Sequence, residues 1–401
     1  MKGPLTNKRI VLGVTGSIAC YKALELASKL VQNGALVDTI MTKSSQEFLT
    51  PLAFKSITHR DVVTNMYDIN SEFAINHVGL AESADIIVIA PATANTIAKI
   101  SNGMSDDSLT TTVLASKCPI VIAPAMDGNM FDNPATQSNI ATLISRGVFI
   151  SGPEYGRLAS GLIGNGRMTS PKNLVDIITM TLGSKGDLSG KKILISAGGT
   201  TEPIDPVRFI TNKSSGKMGY SIAAAARDRG ANVTLVSASN MLENPIGIQI
   251  KKVRTSSEMY DVISKEITEM DAIIMAAAVS DWTPKKYSNS KSKKNGSENW
   301  SIDLIKTTDI IANISKPNLI KIGFAAESDN LIQNGKSKIQ SKSLDLIVAN
   351  DILDKENGFE SDTNKVSIIH PNGDVEIIPA MPKYEVGNEI LDRMIRLFNK
   401  K

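Results

Sequence analysis

The stretch ISAGGTTEPIDPVRFITNKSSGKMGYSIAAAA, residues 195–226, joins a β-branched run to a helix rich in small residues. Gly198 and Gly199 end the run, as at the phosphate-binding turn of a dinucleotide-binding βαβ unit. In such a unit the helix begins almost at once, so that its N-terminus meets the pyrophosphate. Here residues 200–213 intervene before SSGKMG opens the helix. Because a loop that long inside a compact domain is usually functional, the stretch predicts an α/β unit with a binding loop.

Short apolar runs alternate with helix-like segments on both sides of this stretch. The second half continues with KILISAGG, ANVTLVSAS, DAIIMAAAVSDW, LIKIGFAAES and DLIVAND, and KVSIIHPNGDVEIIP (365–379) predicts a β-hairpin with Asn-Gly at its turn. The first half shows the same alternation in RIVLGVTG (9–16), LVDTIMT (36–42), DIIVIAPA (85–92), PIVIAPAM (119–126) and VFISGP (148–153). This alternation predicts a doubly wound parallel sheet in each half.

One segment interrupts the pattern near the middle of the chain. MTLGSKGDLSGKK (180–192) is rich in glycine, serine and charge, a composition typical of a linker. We therefore predict two α/β domains, 1–187 and 188–401. Their motifs differ, so the second domain is not an internal repeat of the first.

The composition limits the class of protein. The 401 residues carry a net charge of +3, which gives no support for nucleic-acid binding. Cys20 and Cys118 are the only cysteines, which argues against a disulfide framework and for a reduced, cytoplasmic setting. The N-terminus has no apolar signal region, and no window approaches the ~20 apolar residues of a membrane span. We expect neither nucleic acid nor membrane as a partner.

Polar residues follow three strands of the first half. VTGSIACYK (14–22) is a strand, a Gly-Ser turn and a helix start, whose free N–H groups can bind an anion. An α/β domain also uses glycine there simply to turn. Thr93, Asn95 and Thr96 follow a second strand, and Asp127 follows a third. Doubly wound sheets bind ligands at this edge.

His77 is one of only three histidines, and it lies just before the strand that leads to Thr93. Leu80 and Ala81 follow it three and four residues later along a predicted helix. A single histidine in such a helix is more often a core or surface residue than a catalytic one. Its position before the candidate site makes it a candidate nonetheless.

The first half resembles the flavin-binding cysteine decarboxylases, specifically phosphopantothenoylcysteine decarboxylase. The resemblance rests on GVTGSIACYKA, MTKSSQEFLTP, HVGLAESADIIVIAPATANTIAKISNGMSDDSLT, VIAPAMDGNMFDNPA and GRLASGLIGNGRM. It implies a flavodoxin-like domain that binds FMN, with His77 as the catalytic histidine and residues 158–168 as a lid over the substrate. The implied FMN contacts are Gly16, Ser17, Ile18, Ser44, Ala92, Thr93 and Asn95.

Two positions depart from that family's pattern. Asp127 stands where Asn is common, and Ser160 stands in the lid where Cys is common. The resemblance implies that the thiol protonates the enethiolate left by CO₂ loss, and a hydroxyl is a far weaker acid. Three outcomes therefore stay open. Another group (His77 or water) protonates the intermediate, the reaction stops at the enethiol, or the domain only binds flavin.

The second half resembles phosphopantothenate–cysteine ligase over roughly 190–390. AGGTTEPIDPVRFITNKSSGKMG, AAAVSDW, KSKK, IGFAAES and KSKIQSKSLDLIVAND occur in the family's order. The resemblance implies that Asn212 holds an acyl-nucleotide intermediate, that Asp281 meets Mg²⁺ (or Mn²⁺), and that Lys291 acts from a mobile flap. The implied nucleotide contacts are Ala277, Asp281, Lys291, Thr308, Asp309, Ile310, Ile311, Phe324, Lys338 and Lys342. Arg208, Ser214 and Ser215 offer further donors to phosphate and acyl groups.

The two resemblances together imply a bifunctional enzyme of coenzyme A biosynthesis. It would use CTP to join cysteine to 4′-phosphopantothenate and FMN to decarboxylate the product to 4′-phosphopantetheine. The alternative is a working ligase whose flavoprotein domain stalls at the enethiol or only binds FMN. A nicotinamide dehydrogenase is disfavoured because neither glycine turn completes G-x-G-x-x-G. The resemblance also implies homo-oligomers, with trimeric decarboxylase and dimeric ligase domains.

Overall fold

The computed structural model describes residues 4–66, 77–239, 241–291, 300–327, 331–351 and 361–400. The chain divides into two compact units, Met1–Leu182 and Gly183–Lys401. Each unit contains one main sheet, and the prediction of two doubly wound α/β domains is confirmed.

The first unit is built on a parallel six-stranded sheet. Its strands are β1 (Arg9–Val14), β2 (Leu36–Met41), β3 (Val62–Val63), β4 (Ile86–Ala92), β5 (Ile120–Pro124) and β6 (Phe149–Ile150). An antiparallel ribbon follows, formed by β7 (Glu154–Arg157) and β8 (Ile163–Arg167). The helices are α1 (Cys20–Gln32), α2 (Pro51–Thr58), α3 (His77–Ser83), α4 (Ala94–Ser101), α5 (Ser108–Ala115), α6 (Gly128–Asp132), α7 (Pro134–Ser145) and α8 (Pro171–Gly183).

The strand order places a ligand crevice in this unit. The order is β3-β2-β1-β4-β5-β6, and it reverses between β1 and β4. This is the order of dinucleotide-binding sheets, and it differs from the 2-1-3-4-5 order of flavodoxin that a flavodoxin-like domain would have. All seven residues of β4 are buried, as expected for a strand covered by helices on both faces.

The second unit has the longer sheet. Its strands are β9 (Lys192–Ala197), β10 (Thr201–Pro203), β11 (Phe209–Thr211), β12 (Asn232–Ser237), β13 (Gln249–Lys252), β14 (Ala272–Met275), β15 (Trp282–Pro284), β16 (Leu304–Lys306), β17 (Ile320–Glu327), β18 (Leu346–Asp351), β19 (Thr363–Ile369) and β20 (Val375–Pro382). Its helices are α9 (Lys217–Arg227), α10 (Ser256–Glu266), α11 (Leu331–Lys342) and α12 (Lys383–Phe398).

The main sheet runs β13-β12-β9-β14-β17-β18-β19-β20. Its first six strands are parallel, and the predicted hairpin adds β19 and β20 as an antiparallel edge. The strands β10 and β11 form one small antiparallel ribbon, and β15 and β16 form another. The carboxyl ends of β9 and β14, where the strand order reverses, therefore form the expected ligand edge.

The segment predicted as a linker, 180–192, contains the boundary between the two units, and its residues 184–191 connect α8 to β9 through turns. Helix α8 continues to Gly183, and β9 begins at Lys192. Leu188 is buried, and its N–H donates to Arg229 O at 3.0 Å. Asp187 is also paired with Arg229, so this connection is held in place on the second unit.

Candidate functional sites

The glycine turn after β1 touches the loop after β2. A Cβ on Gly16 would lie 2.5 Å from Cβ of Ser44, so only glycine fits there. Ser44 lies in a single 3₁₀ turn, Lys43–Glu47. The structure therefore brings together two predicted FMN contacts that are separated by a whole βα unit.

Thr15 ties this turn to the end of β4. Its hydroxyl donates to Pro91 O at 2.7 Å and accepts from the Thr93 N–H at 3.0 Å. Thr93 in turn caps α4 by accepting from the Thr96 N–H. Asn95 lies exposed in the first turn of α4, and Ile18 lies exposed beyond the glycine turn. The predicted contacts thus line the edge where the strand order reverses.

His77 is the first residue of α3 and is half-buried. Leu80 and Ala81, three and four residues further along this helix, are buried. Residues 67–76, directly before His77, lie outside the described residues.

The predicted lid is the ribbon of β7 and β8. Its tip closes through a bond from the Leu158 N–H to Leu162 O at 2.8 Å. The ribbon is docked on the segment after β5, because the Met126 N–H donates to Gly166 O at 3.1 Å. A Cβ on Gly166 would collide with Met126 O, so this close approach requires glycine.

The two residues that depart from the decarboxylase pattern contact each other. The Ser160 hydroxyl donates to Oδ2 of Asp127 at 2.9 Å. Oδ1 of Asp127 accepts from the Asn129 N–H at 3.0 Å and so caps α6. Asp127 is half-buried and Ser160 is exposed, so the pair is open to water.

Neither cysteine offers a reactive thiol. The Cys20 thiol is buried and donates to Thr15 O at 3.1 Å. Cys118 contacts the Ser116 hydroxyl at 3.0 Å. Burial raises the pKa of both thiols, which keeps them protonated at neutral pH.

In the second unit, the long loop of residues 200–213 returns to the turn at which it began. It forms the β10–β11 ribbon, and Asn212 then packs on Gly199, where a Cβ would lie 2.6 Å from Asn212 O. The Asn212 amide donates to Ala278 O at 3.3 Å and to Val279 O at 3.2 Å. The loop therefore delivers one amide side chain to the edge between β9 and β14.

A cavity of about 780 Å³ opens at this edge. Twelve of the residues predicted for the ligase site line it, and they come from five separate segments of the chain. They are Asn212, Ser214, Ser215, Ala277, Asp281, Thr308, Asp309, Ile310, Ile311, Phe324, Lys338 and Lys342.

Charged side chains reach the cavity from several segments of the chain. Lys338 and Lys342 lie one turn apart on α11, and Nζ of Lys342 is 2.9 Å from Oδ2 of Asp309. Asp281 is exposed at the start of the β15 ribbon. The side chains of Ile310 and Ile311 are buried in the core, so this segment presents mainly backbone to the cavity.

Two residues singled out from the sequence do not line the cavity. Lys291 is exposed and is followed by residues 292–299, which lie outside the described part of the chain. The Arg208 guanidinium is held by the buried Asp205 and stacks on Trp300, 4.2 Å from the ring centroid. The guanidinium of Arg208 is therefore engaged by Asp205 and Trp300, away from the cavity lining. The sequence had predicted it to be a donor to phosphate.

Sequence reasoning missed another group of cavity residues. Lys217 starts α9, while Asn364 and Lys383 come from β19 and α12. Lys383 is buried, and desolvation followed by the charge of Lys217 lowers its pKa. The SSGKMG motif already contained Lys217, but no local signal linked Asn364 or Lys383 to the site.

The two halves of the chain match two known families. Residues 1–183 match the Flavoprotein family, and residues 188–397 match the DNA/pantothenate metabolism flavoprotein C-terminal domain. Together with the two sites, these matches define a two-domain flavoprotein of pantothenate metabolism.

Relatives that combine both domains define the family more closely. The coenzyme A biosynthesis bifunctional protein CoaBC of Vibrio parahaemolyticus is 41% identical over 98% of this chain and 99% of its own. That of Bacillus subtilis is 41% identical over 98% of each chain. A solved structure of the C-terminal domain of a CoaBC is 35% identical in sequence. The match covers 54% of this chain and 100% of the solved chain, with a TM-score of 0.47. The chain belongs to the CoaBC family of bifunctional coenzyme A biosynthesis proteins, as its motifs predicted.

Proposed function

We propose that residues 188–401 ligate cysteine to 4′-phosphopantothenate with CTP, and that residues 1–187 decarboxylate the product with FMN to give 4′-phosphopantetheine. The observation that carries the ligase assignment is the cavity, where twelve predicted residues from five segments meet. Residues so distant in sequence would not line the same cavity by chance.

The ligase reaction needs side chains that bind the phosphates of CTP, a metal ion, and a side chain that binds the acyl intermediate. The carboxylate attacks the α-phosphorus of CTP and releases pyrophosphate, and the cysteine amine then displaces CMP. Lys338 and Lys342 would bind phosphates, and the Asn212 amide would hold the acyl-cytidylate. Lys291, in the predicted flap, would act in the second step, in which the cysteine amine displaces CMP.

Mg²⁺ (or Mn²⁺) fits this cavity. Asp281 and Asp309 are the carboxylates among its described lining residues. Mg²⁺ is commonly held by one or two carboxylates together with substrate phosphates and water. Asp281 is the better candidate because Asp309 is already paired with Lys342.

FMN fits the edge between β1 and β4. Gly16 leaves no room for a Cβ, and Gly16, Ser17 and Ile18 form the turn just before α1, where N–H groups favour a phosphate. Ser44, Ala92, Thr93 and Asn95 would complete the contacts. FMN supplies a reversible two-electron oxidation of the cysteinyl side chain, which gives the departing CO₂ an electron sink. His77 would orient the carboxylate or take the thiol proton.

The proposal includes a cytoplasmic location and homo-oligomers, trimeric for the first domain and dimeric for the second. Within the described residues, the structure contains no helix that is long and apolar enough to cross a bilayer. The modest net charge of +3 supports small-molecule substrates over nucleic acid.

The ligase assignment is tested by pyrophosphate release from the purified full chain. We expect release to require 4′-phosphopantothenate, CTP and Mg²⁺, and stoichiometric CMP to appear only when cysteine is added. ATP in place of CTP should support the reaction poorly. CMP or pyrophosphate formation independent of 4′-phosphopantothenate would contradict the assignment.

A further inference from the structure

One lysine of the second domain lies inside the main sheet. Lys321 is the second residue of β17, a strand that pairs with β14 on one side and with β18 on the other. Its neighbours Ile320 and Ile322 are fully buried, and Lys321 itself is only 9% exposed. Central strands of a parallel sheet normally carry apolar side chains, because burying an amino group costs free energy. A lysine at this position therefore points to a role other than core packing.

The amino group of Lys321 makes two hydrogen bonds to one turn of the chain. It donates to Ile314 O, and to Ile311 O at 3.4 Å. Both carbonyls belong to the turn formed by residues 309–314, which follows β16. Burial lowers the pKa of Lys321, and the charge of Asp345 opposes that shift. A neutral amine still has two N–H groups, so Lys321 can donate to both carbonyls in either protonation state.

The turn 309–314 is held at both of its ends. At its start, the Asp309 carboxylate accepts from the Ala312 N–H at 3.2 Å. The carbonyl of Asp309 accepts from the Asn313 N–H at 3.2 Å and from the Asn313 amide at 2.8 Å. At its end lie the two carbonyls that accept from Lys321. Because the last carbonyls of a helical turn have no partner within the turn, a donor placed there fixes its backbone.

The same turn forms part of the cavity wall. Residues 308–311 line the cavity, and the side chains of Ile310 and Ile311 are buried in the core, so the turn presents mainly backbone. The only ionisable side chain within 309–314 is that of Asp309, an acid. Backbone groups and a carboxylate suit an uncharged partner with hydrogen-bond donors and acceptors, such as the edge of a nucleotide base, better than they suit a phosphate.

We propose that Lys321 is a positioning residue for nucleotide selection, because it fixes the turn whose backbone recognises the base. This inference rests on the proposed ligase function of the second domain. Lys321 is not among the described residues that line the cavity, so it acts through the turn. Fixed backbone groups discriminate between ligands because a misplacement of about 1 Å can cost about 10²-fold in rate.

Three variants separate this role from general support of the fold. Lys321→Met removes both hydrogen bonds and leaves an apolar side chain of similar length. Asn313→Ala loosens the same turn from its exposed side and changes no buried side chain, so it tests the inference even if Lys321→Met does not fold. Lys316→Met is the matched control, because Lys316 is a partly buried lysine that donates to a carbonyl outside the turn, Met270 O.

The experiment measures pyrophosphate release by the purified full chain, with CTP varied at saturating 4′-phosphopantothenate, cysteine and Mg²⁺. We expect the KM for CTP to rise about tenfold in Lys321→Met and about threefold in Asn313→Ala, as for loss of a charge-assisted and a neutral hydrogen bond. The kcat and the KM for 4′-phosphopantothenate should stay within about twofold of wild type, because the turn contributes to nucleotide binding alone. Lys316→Met should behave as wild type.

Replacing CTP by ATP adds a second readout. Recognition of the base should be weakened selectively, so kcat/KM should fall about tenfold for CTP in Lys321→Met and less for ATP. Equal losses for the two nucleotides would overturn base selection by the turn.

Other outcomes also decide the question. An unchanged KM for CTP in both Lys321→Met and Asn313→Ala would overturn the inference while leaving the ligase intact. A lower kcat together with a higher KM for 4′-phosphopantothenate would overturn it in favour of a general structural role. The same rise in the KM for CTP in Lys316→Met would also overturn it. Absence of CTP-dependent ligation by wild type would overturn the proposed ligase and this inference together.

Discussion

The two domains place their candidate sites at the same point of similar sheets, but they build those sites differently. In both, the order of the first six strands is 3-2-1-4-5-6, and a glycine turn follows the central strand. In the first domain the turn leads within a few residues to α1, so Gly16 and Ser17 form an open edge. In the second, the β10–β11 ribbon is inserted between Gly199 and α9.

The difference shows what an insertion at a phosphate turn can add. The open turn offers mostly backbone N–H groups, which suit a phosphate but select little else. The inserted loop brings the Asn212 amide onto the turn and helps to enclose a cavity of about 780 Å³. Side-chain recognition of a reacting acyl group becomes possible there without a new fold.

The largest expected effect is that of Asn212→Ala on the ligase. The variant removes an amide that bonds to Ala278 O and Val279 O, and we expect pyrophosphate release to fall about 10²–10³-fold, as for loss of one preorganised donor. CO₂ release from 4′-phosphopantothenoylcysteine should not change. Asn232→Ala is the control, since Asn232 is exposed at the amino end of β12. Equal loss of both activities would contradict two separate sites.

Gly16→Ala should damage only the first domain. Its Cβ would lie 2.5 Å from Cβ of Ser44, and relieving such a clash typically costs about 1–3 kcal/mol. We expect the purified variant to lose most of its FMN, measured by absorbance, while ligation persists. Gly103→Ala controls for backbone strain, because Gly103 has a φ of +68° but no atom within 4 Å of the added methyl. Full flavin content in Gly16→Ala would remove Gly16 from the site.

Lys342→Met tests whether α11 belongs to the nucleotide site. Loss of one charge-assisted hydrogen bond costs about 1.5–3 kcal/mol, so the KM for CTP should rise at least about tenfold. The rise should shrink at high salt, which already screens the wild-type contact. Lys336→Met on the same helix should leave KM unchanged, because Lys336 lies beside Gly373 and outside the cavity lining. Equal effects of the two variants would indicate a general loss of charge.

The smallest expected effect concerns the hairpin β19–β20, which adds an antiparallel edge to the main sheet of the second domain. The Arg393 guanidinium, and then His370, lower the pKa of Glu376 by hydrogen bonding. The stability from this pair is therefore present above the unfolded pKa of about 4.3 and is lost as pH falls through the lower folded value. Because Glu376 is about one-third exposed, we expect Glu376→Gln to cost about 0.5 kcal/mol at pH 7 and less at pH 3.

Urea unfolding followed by circular dichroism at the two pH values checks this difference. Glu269→Gln is the matched control, since Glu269 pairs with Lys192 but is 73% exposed. A Glu376→Gln effect that is the same at both pH values would show that lost packing, not charge, is responsible.

Much of the fold could be predicted from the sequence because local patterns decide it. The apolar runs became the strands of both sheets, and Asn372-Gly373 lies in the turn of the hairpin, where Gly373 has a φ of +93°. The order of the first sheet could not be predicted, because strand order depends on which strands pair. The burial of Leu188 within the predicted linker could not be predicted, because it depends on residues far along the chain.

The candidate sites divide in the same way. Motifs that occur as short runs, such as SSGKMG or APATANT, placed their residues at the ligand edge. Lys383 and Asn364 were missed because they reach the cavity from the far end of the domain. The bond between Asp127 and Ser160 was also invisible, because it depends on how the lid docks.

The most direct test of the whole account supplies purified protein with 4′-phosphopantothenate, cysteine, CTP and Mg²⁺ and measures product mass over time. Two working sites predict that 4′-phosphopantothenoylcysteine appears first and is then converted to 4′-phosphopantetheine, with one CO₂ and one CMP formed for each molecule. Accumulation of 4′-phosphopantothenoylcysteine without CO₂ would contradict the account of the first domain. Failure to form it at all would contradict the account of the second.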